Sequence, residues 1–220
     1  MKTLPGNWSP QSKNEEWING LTHGLGALVS IPGTVVLIVQ AVRMGDARRV
    51  VGVSIFGATL LLLYTVSTLY HALPLSVAKS RFRVFDHIAI YLLIAGSYTP
   101  FTLGPLRGGW GWSLFGVVWG LALLGTVLKL LFMGRFRIMS VVVYIAMGWM
   151  VVIAVHPLRL TLEPVSLGLL VAGGLAYTGG IVFYANRWMP FSHGVWHLFV
   201  LAGSILHWFA VYTLPAYADL

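Results

Sequence analysis

His193 and His197 are four residues apart, so on a helix they leave the same face one turn apart. Two imidazoles so placed can grip a single metal ion, as they do in zinc proteases. His71, one turn after Ser67, and the pair Asp86-His87 add an imidazole, a hydroxyl and a carboxylate from elsewhere in the chain. Three nitrogen ligands leave the fourth tetrahedral position to water, the open arrangement of a catalytic site rather than a structural one. An ion held that way lowers the pKa of bound water from about 16 to about 7. Asp86 is then the group to orient that water, accept its proton or hold a ligand imidazole from behind. Ser67 can donate a hydrogen bond to a carbonyl oxygen or to Asp86, or simply bond back to a carbonyl of its own helix, the commoner role of a lone membrane serine. His-x-x-x-His alone is a weak signal. Gly194 stands where zinc proteases carry a glutamate base, which excludes that soluble class.

What must position these residues follows from composition. Of 220 residues, 58% are hydrophobic and only 9% are charged, against about 25% charged in a soluble domain. A soluble surface cannot be built from so few charges, and disorder needs low hydrophobicity. Seven runs, 18–42, 50–78, 87–106, 108–128, 138–158, 164–186 and 188–218, contain no Asp, Glu, Lys or Arg. A bilayer core about 30 Å thick takes about 20 helical residues to cross. Unbroken apolar stretches such as Leu60-Leu61-Leu62-Leu63 lack the alternation of a membrane β-barrel. The prediction is an all-α membrane protein, one domain over 1–220. Its seven-transmembrane helix bundle has spans at about 18–42, 50–73, 86–104, 111–133, 138–156, 164–185 and 191–214. The first 17 residues contain Glu15 and Glu16 and lack the apolar core of a signal peptide, so no cleaved leader is expected. With no cysteine there is neither a disulfide nor a thiolate metal site. The net charge of +8 fits lipid-facing loops, and no nucleic-acid partner is expected because no compact basic face exists.

Seven spans put the N-terminus and loops 2–3, 4–5 and 6–7 on one side. That side carries Lys2, Lys13, Lys79, Arg81, Arg83, Lys129, Arg135, Arg137 and Arg187, against Arg43, Arg48, Arg49, Arg107 and Arg159 on the other. The positive-inside rule then places the N-terminus in the cytoplasm and the C-terminus outside. Parity does the rest: the end of helix 2 and the starts of helices 1, 3 and 7 share that side. His71, Asp86, His193 and His197 can therefore converge at one depth. Ionisable groups in membrane helices are expensive, so these four are read as a metal site, with an ion-pair network as the alternative.

Glu16, Asn19 and His23 share one face at the start of helix 1. His23 and His87 are read as supporting or interfacial groups rather than as ligands. His156 ends helix 5 beside Pro157 on the opposite side. His207 lies about 15 Å beyond His197 along the helix axis, too far to share an ion, and marks either a polar cavity or an interhelical hydrogen bond. Pro32 and Pro100 are expected to kink or end helices. Gly20-x-x-x-Gly24, Gly116-x-x-x-Gly120 and Ala202-Gly203-Ser204 are read as close-packing surfaces. Trp and Tyr residues are read as interface anchors and packing, with Tyr70 and Tyr98 near the cluster.

At these residues the chain resembles the haemolysin III family, the bacterial branch of the progestin and adipoQ receptor superfamily that includes the adiponectin receptors. The resemblance rests on Glu16-x-x-Asn19-x-x-Thr22-His23, Ser67-x-x-Tyr70-His71, Asp86-His87 with Ile94-Ala95-Gly96-Ser97-Tyr98-Thr99-Pro100, and His193-x-x-Trp196-His197 with His207. It implies seven helices with a cytoplasmic N-terminus and a Zn2+ ion bound by His71, His193 and His197, with Asp86 beside the ion's water and Ser67 nearby. It further implies a membrane-lipid substrate, hydrolysis of a lipid amide such as ceramide, and a role in lipid homeostasis at the inner (plasma) membrane. A sensor held together by structural zinc, or a cytolytic protein, are the alternatives. The chain lacks the longer N-terminal region of the eukaryotic receptors, which weighs against hormone signalling.

Overall fold

Ser12 opens the first helix with a reciprocal cap: its hydroxyl accepts from the Glu15 amide at 3.3 Å, and the Glu15 carboxylate accepts from the Ser12 amide at 2.9 Å. The computed structural model describes residues 11–132, 137–186 and 188–215. Lys2, Arg135, Arg187 and residues 1–10, most of the segment on which the leader expectation rests, lie outside the described residues, as does the side chain of Arg137. The helices are α1 Lys13–Arg43, α2 Ala47–Ala72, α3 Val77–Leu103, α4 Gly109–Leu131, α5 Arg137–Trp149, α6 Val155–Thr161, α7 Pro164–Ala185 and α8 Ser192–Tyr212. Seven spans are long and apolar enough to cross a membrane, and α5 and α6 together form the fifth. All regular structure among the described residues is helical.

The spans reach further than the charge-free runs. α3 begins at Val77, capped by Ser76, rather than at 86, so Asp86 lies more than two turns inside the helix. The reason is that Lys79, Arg81 and Arg83 end the apolar run without ending the helix. The fifth span, expected unbroken over 138–156, is interrupted by a 3-10 turn at Met150–Ala154. Pro157 sits in the first turn of α6 and does not end it, because its missing N–H has no helical partner there anyway. Pro32 and Pro100 lie inside α1 and α3, and neither ends its helix.

α3 is the most buried span. It packs on α2, α4 and α5, while α1 lies against both α2 and α8, and α7 against α8. Phe56, Leu37, Val53 and Leu60 form part of the apolar core. Leu21, Leu25, Leu28 and Val35 on α1 are more than half exposed, as a lipid-facing stripe should be. Gly20 and Gly24 do bring α1 onto α2, where an added Cβ would touch His71 at 3.6 Å and Thr68 at 3.5 Å. Gly203 likewise faces the Tyr177 ring. Gly116 and Gly120 do not pack: nothing described lies within 4 Å of either. α4 turns them outward, so this part of the small-residue reading is corrected.

Candidate metal centre

His71 occupies the last turn of α2. Pro74 follows closely, and Leu73 before it is extended at φ −74°, ψ 139°, the conformation a following proline imposes. α8 starts after Phe191, whose φ of 57° turns the chain sharply into the helix that carries His193 and His197. The three rings meet at centroid separations of 5.2 Å (71 to 193), 5.1 Å (71 to 197) and 4.6 Å (193 to 197). One candidate ligand atom from each lies within 4.8 Å of the others, so the trio could hold a metal ion.

The hydrogen bonds around the rings decide which nitrogens face inward. His71 Nδ1 is 2.7 Å from Glu16 Oε2, so it carries the ring proton and donates it to the carboxylate. Its Nε2 is buried and has no hydrogen-bond partner among the described residues. His197 Nδ1 lies 3.2 Å from both the Asn19 carbonyl and the Thr22 hydroxyl oxygen. Thr22 spends its own proton on the Ile18 or Asn19 carbonyl, at 2.9 and 3.0 Å. His197 therefore donates through Nδ1 as well, leaving the Nε2 lone pair available. Ligand histidines show this pattern, with the outer N–H tied to a carboxylate or carbonyl. On that observation the residues fit a metal.

His23, expected to be supporting or interfacial, is buried and stacks on His197 at 3.5 Å and 9°. It is therefore supporting rather than interfacial. His87 donates from Nδ1 to the Arg83 carbonyl at 2.7 Å, and its Nδ1 lies 3.6 Å from Asp86 Oδ2. Asp86 is buried and lines a cavity of about 660 Å³ whose wall also includes His193 and His197. Apolar residues such as Leu63, Leu93 and Val200 also line it, and His207 lies on its wall too. His207 also bonds the Leu170 carbonyl at 3.1 Å, so both readings of it hold. The volume is within the 300–1,000 Å³ range of ligand sites. Ser67 is fully buried, its hydroxyl oxygen has no described partner, and it does not line the cavity. Tyr70 and Tyr98 both do. His156 is exposed in the fifth span, apart from the cluster.

Two partners escaped the sequence reading. The sequence groups Glu16 with Asn19 and His23 without assigning it a ligand to hold, and it places Lys79 as a loop cation. The available signal was parity, which puts both at the cluster's end.

A seven-span helical bundle with a three-histidine cluster opening on an internal cavity defines a multi-pass membrane protein with a candidate metal centre. Residues 11–208 match the family described as Haemolysin-III related. The chain belongs to the haemolysin III family. It is 47% identical to the Hemolysin-3 homolog of Bacillus subtilis (strain 168) over 197 residues, 90% of this chain and 92% of that one. It is 44% identical to Hemolysin-3 of Bacillus cereus over 207 residues, 93% and 94% of the two chains. The human monocyte to macrophage differentiation factor is 31% identical over 168 residues, 72% and 68% of the two. More distant relatives are adiponectin-receptor-like.

Proposed function

We propose that this protein is a zinc-dependent hydrolase of the inner (plasma) membrane, cleaving a lipid amide of ceramide type at the cytoplasmic leaflet and serving membrane lipid homeostasis. The observation that carries the reading is the junction of three convergent histidines with a 660 Å³ cavity of mixed polar and apolar lining. Its polar side chains suit the scissile bond, and its apolar ones suit an acyl chain. Zinc bound by His71, His193 and His197 would supply Lewis-acid polarisation and acidify a water. Asp86 takes the proton of the attacking water on a carboxylate oxygen. As the C–N bond breaks, it returns that proton to the departing nitrogen, leaving a fatty acid and an amine. Ser67 takes no part in this step, since its fully buried hydroxyl does not line the cavity. Exclusion of water by the cavity's apolar wall strengthens each of these contacts.

The test measures metal content and fatty-acid release from a lipid-amide panel by the purified chain. Wild type should hold one zinc and His193→Ala none. Asp86→Asn should keep zinc and lose 10²–10⁴-fold in rate, the contribution of general acid–base catalysis. Zinc-loaded wild type that releases no fatty acid sinks the reading.

A second reading, a sensor of membrane state with structural zinc, has its own support. α2 and α8 make few close backbone approaches to each other, so an ion shared by His71 and the α8 pair would tie them. In that case Asp86→Asn keeps cellular function as well as zinc. The lytic role in the relatives' names is checked by dye release from vesicles.

A further inference from the structure

Glu16 is the hinge of a buried ionic chain that crosses three helices. Its Oε2 meets His71 Nδ1 at 2.7 Å, and its Oε1 meets Lys79 Nζ at 3.0 Å. The side chains of His71, Lys79 and Glu16 are only 0%, 4% and 16% exposed. Lys79 spends its remaining hydrogens on the carbonyls of Tyr70 at 2.8 Å and Leu73 at 3.1 Å. Those carbonyls lie in the last turn of α2 and at its C-cap, where the helix leaves acceptors without partners. The Lys79 ammonium also lies 4.8 Å from the Tyr70 ring centroid. It is thus fixed from several directions, and so is the carboxylate it holds.

Had Lys79 served only to close the end of α2, no carboxylate from α1 would be required. Instead the second oxygen of that carboxylate goes to a ring nitrogen of the one ligand that α2 supplies. We propose that Glu16 is a positioning residue for the metal centre: pinned by Lys79, its carboxylate locks the His71 ring with Nδ1–H outward and the Nε2 lone pair toward His193 and His197. α1 treats His197 in the same way, through the Asn19 carbonyl and the Thr22 hydroxyl. A helix that supplies none of the three candidate ligands thereby orients two of them. The inference rests on the metal reading above and assigns its supporting residues.

Partners of this kind typically contribute 10–100-fold to metal affinity. The experiment is a chelator competition for zinc, and a cobalt(II) absorption spectrum, on the purified full-length chain. Glu16→Ala should weaken zinc binding 10–100-fold and shift the ligand-field bands of cobalt at saturation. Glu16→Gln keeps an acceptor for Nδ1 without the charge and should lose less. Lys79→Met should also weaken binding, and the Glu16→Ala/Lys79→Met double variant should be no weaker than Glu16→Ala. A merely structural ion pair would lower the stability of the metal-free protein and leave the saturated cobalt spectrum unchanged. Affinity and spectrum equal to wild type in both Glu16 variants overturn the inference. If Glu16→Ala does not fold, Glu16→Gln alone decides it by the same two readouts. Wild type that binds neither zinc nor cobalt overturns the metal reading itself, and this inference with it.

Discussion

Replacing Tyr98 with Phe removes one oxygen atom that serves the break in the fifth span. The Tyr98 hydroxyl donates to the carbonyls of Met147 or Gly148, at 2.8 and 2.7 Å, and accepts from the Val151 amide at 2.9 Å. The substitution thus takes the hydroxyl from a buried carbonyl and a half-buried amide. An unsatisfied buried group costs about 1–3 kcal/mol, which brackets the loss at about 2–6 kcal/mol. Hydrogen bonds measured inside a membrane protein average only about 0.6 kcal/mol, because the unfolded chain in the bilayer also finds partners. Backbone groups at a helix break have fewer such substitutes than side chains, so about 2–3 kcal/mol is expected. Reversible unfolding in mixed micelles measures it. Pro157→Ala sharpens the test: with the N–H restored, the 3-10 turn can close into α-helix and no longer needs the hydroxyl. In that background the cost of Tyr98→Phe should fall below about 1 kcal/mol, a coupling of the kind double-mutant cycles report. A Tyr98→Phe change within about 0.5 kcal/mol of wild type, the usual range of an inconsequential substitution, refutes the account. So does strict additivity with Pro157→Ala.

Zinc at 100 times its dissociation constant should stabilise the folded chain by about 2.7 kcal/mol, read as a higher denaturant midpoint and absent in His197→Ala. Gly111→Ala should destabilise by about 1–3 kcal/mol or more, because its Cβ would run into the Thr102 and Leu106 carbonyl oxygens. Gly116→Ala and Gly120→Ala have open space and should be neutral or stabilising by up to about 1 kcal/mol, checked in the same unfolding assay.

The number of spans was legible because a bilayer imposes a length on every charge-free run. Their ends were not. Lys79 and Arg83 continue α3, and charge sets where a helix leaves lipid rather than where it stops. The side of the site was legible through parity, which needs only an odd or even count. Arg49 shows what such counting misses: it is fully buried and holds the carbonyls of Leu214 and Pro215 at 2.9 and 2.7 Å. It closes the end of the last helix instead of standing in a loop. Lys79 is the same case on the opposite side, and setting both aside leaves the basic excess with the N-terminal end. Ser67 marks the limit of local spacing. One turn from His71 places it near the site along α2, yet its hydroxyl does not line the cavity, which the packing of other helices on α2 decides.

The grip of α1 on His197 joins residues 175 and 178 positions apart. A chain made from its N-terminus inserts Glu16, Asn19 and Thr22 first, and their partner on α8 arrives last. The centre therefore cannot assemble piecemeal: with α8 absent, His71 is already oriented yet has neither companion. Closing this ring is the slowest kind of contact for a polymer, since its ends must find each other across the whole sequence. A bound ion would accordingly require that the first, second and last spans had already met.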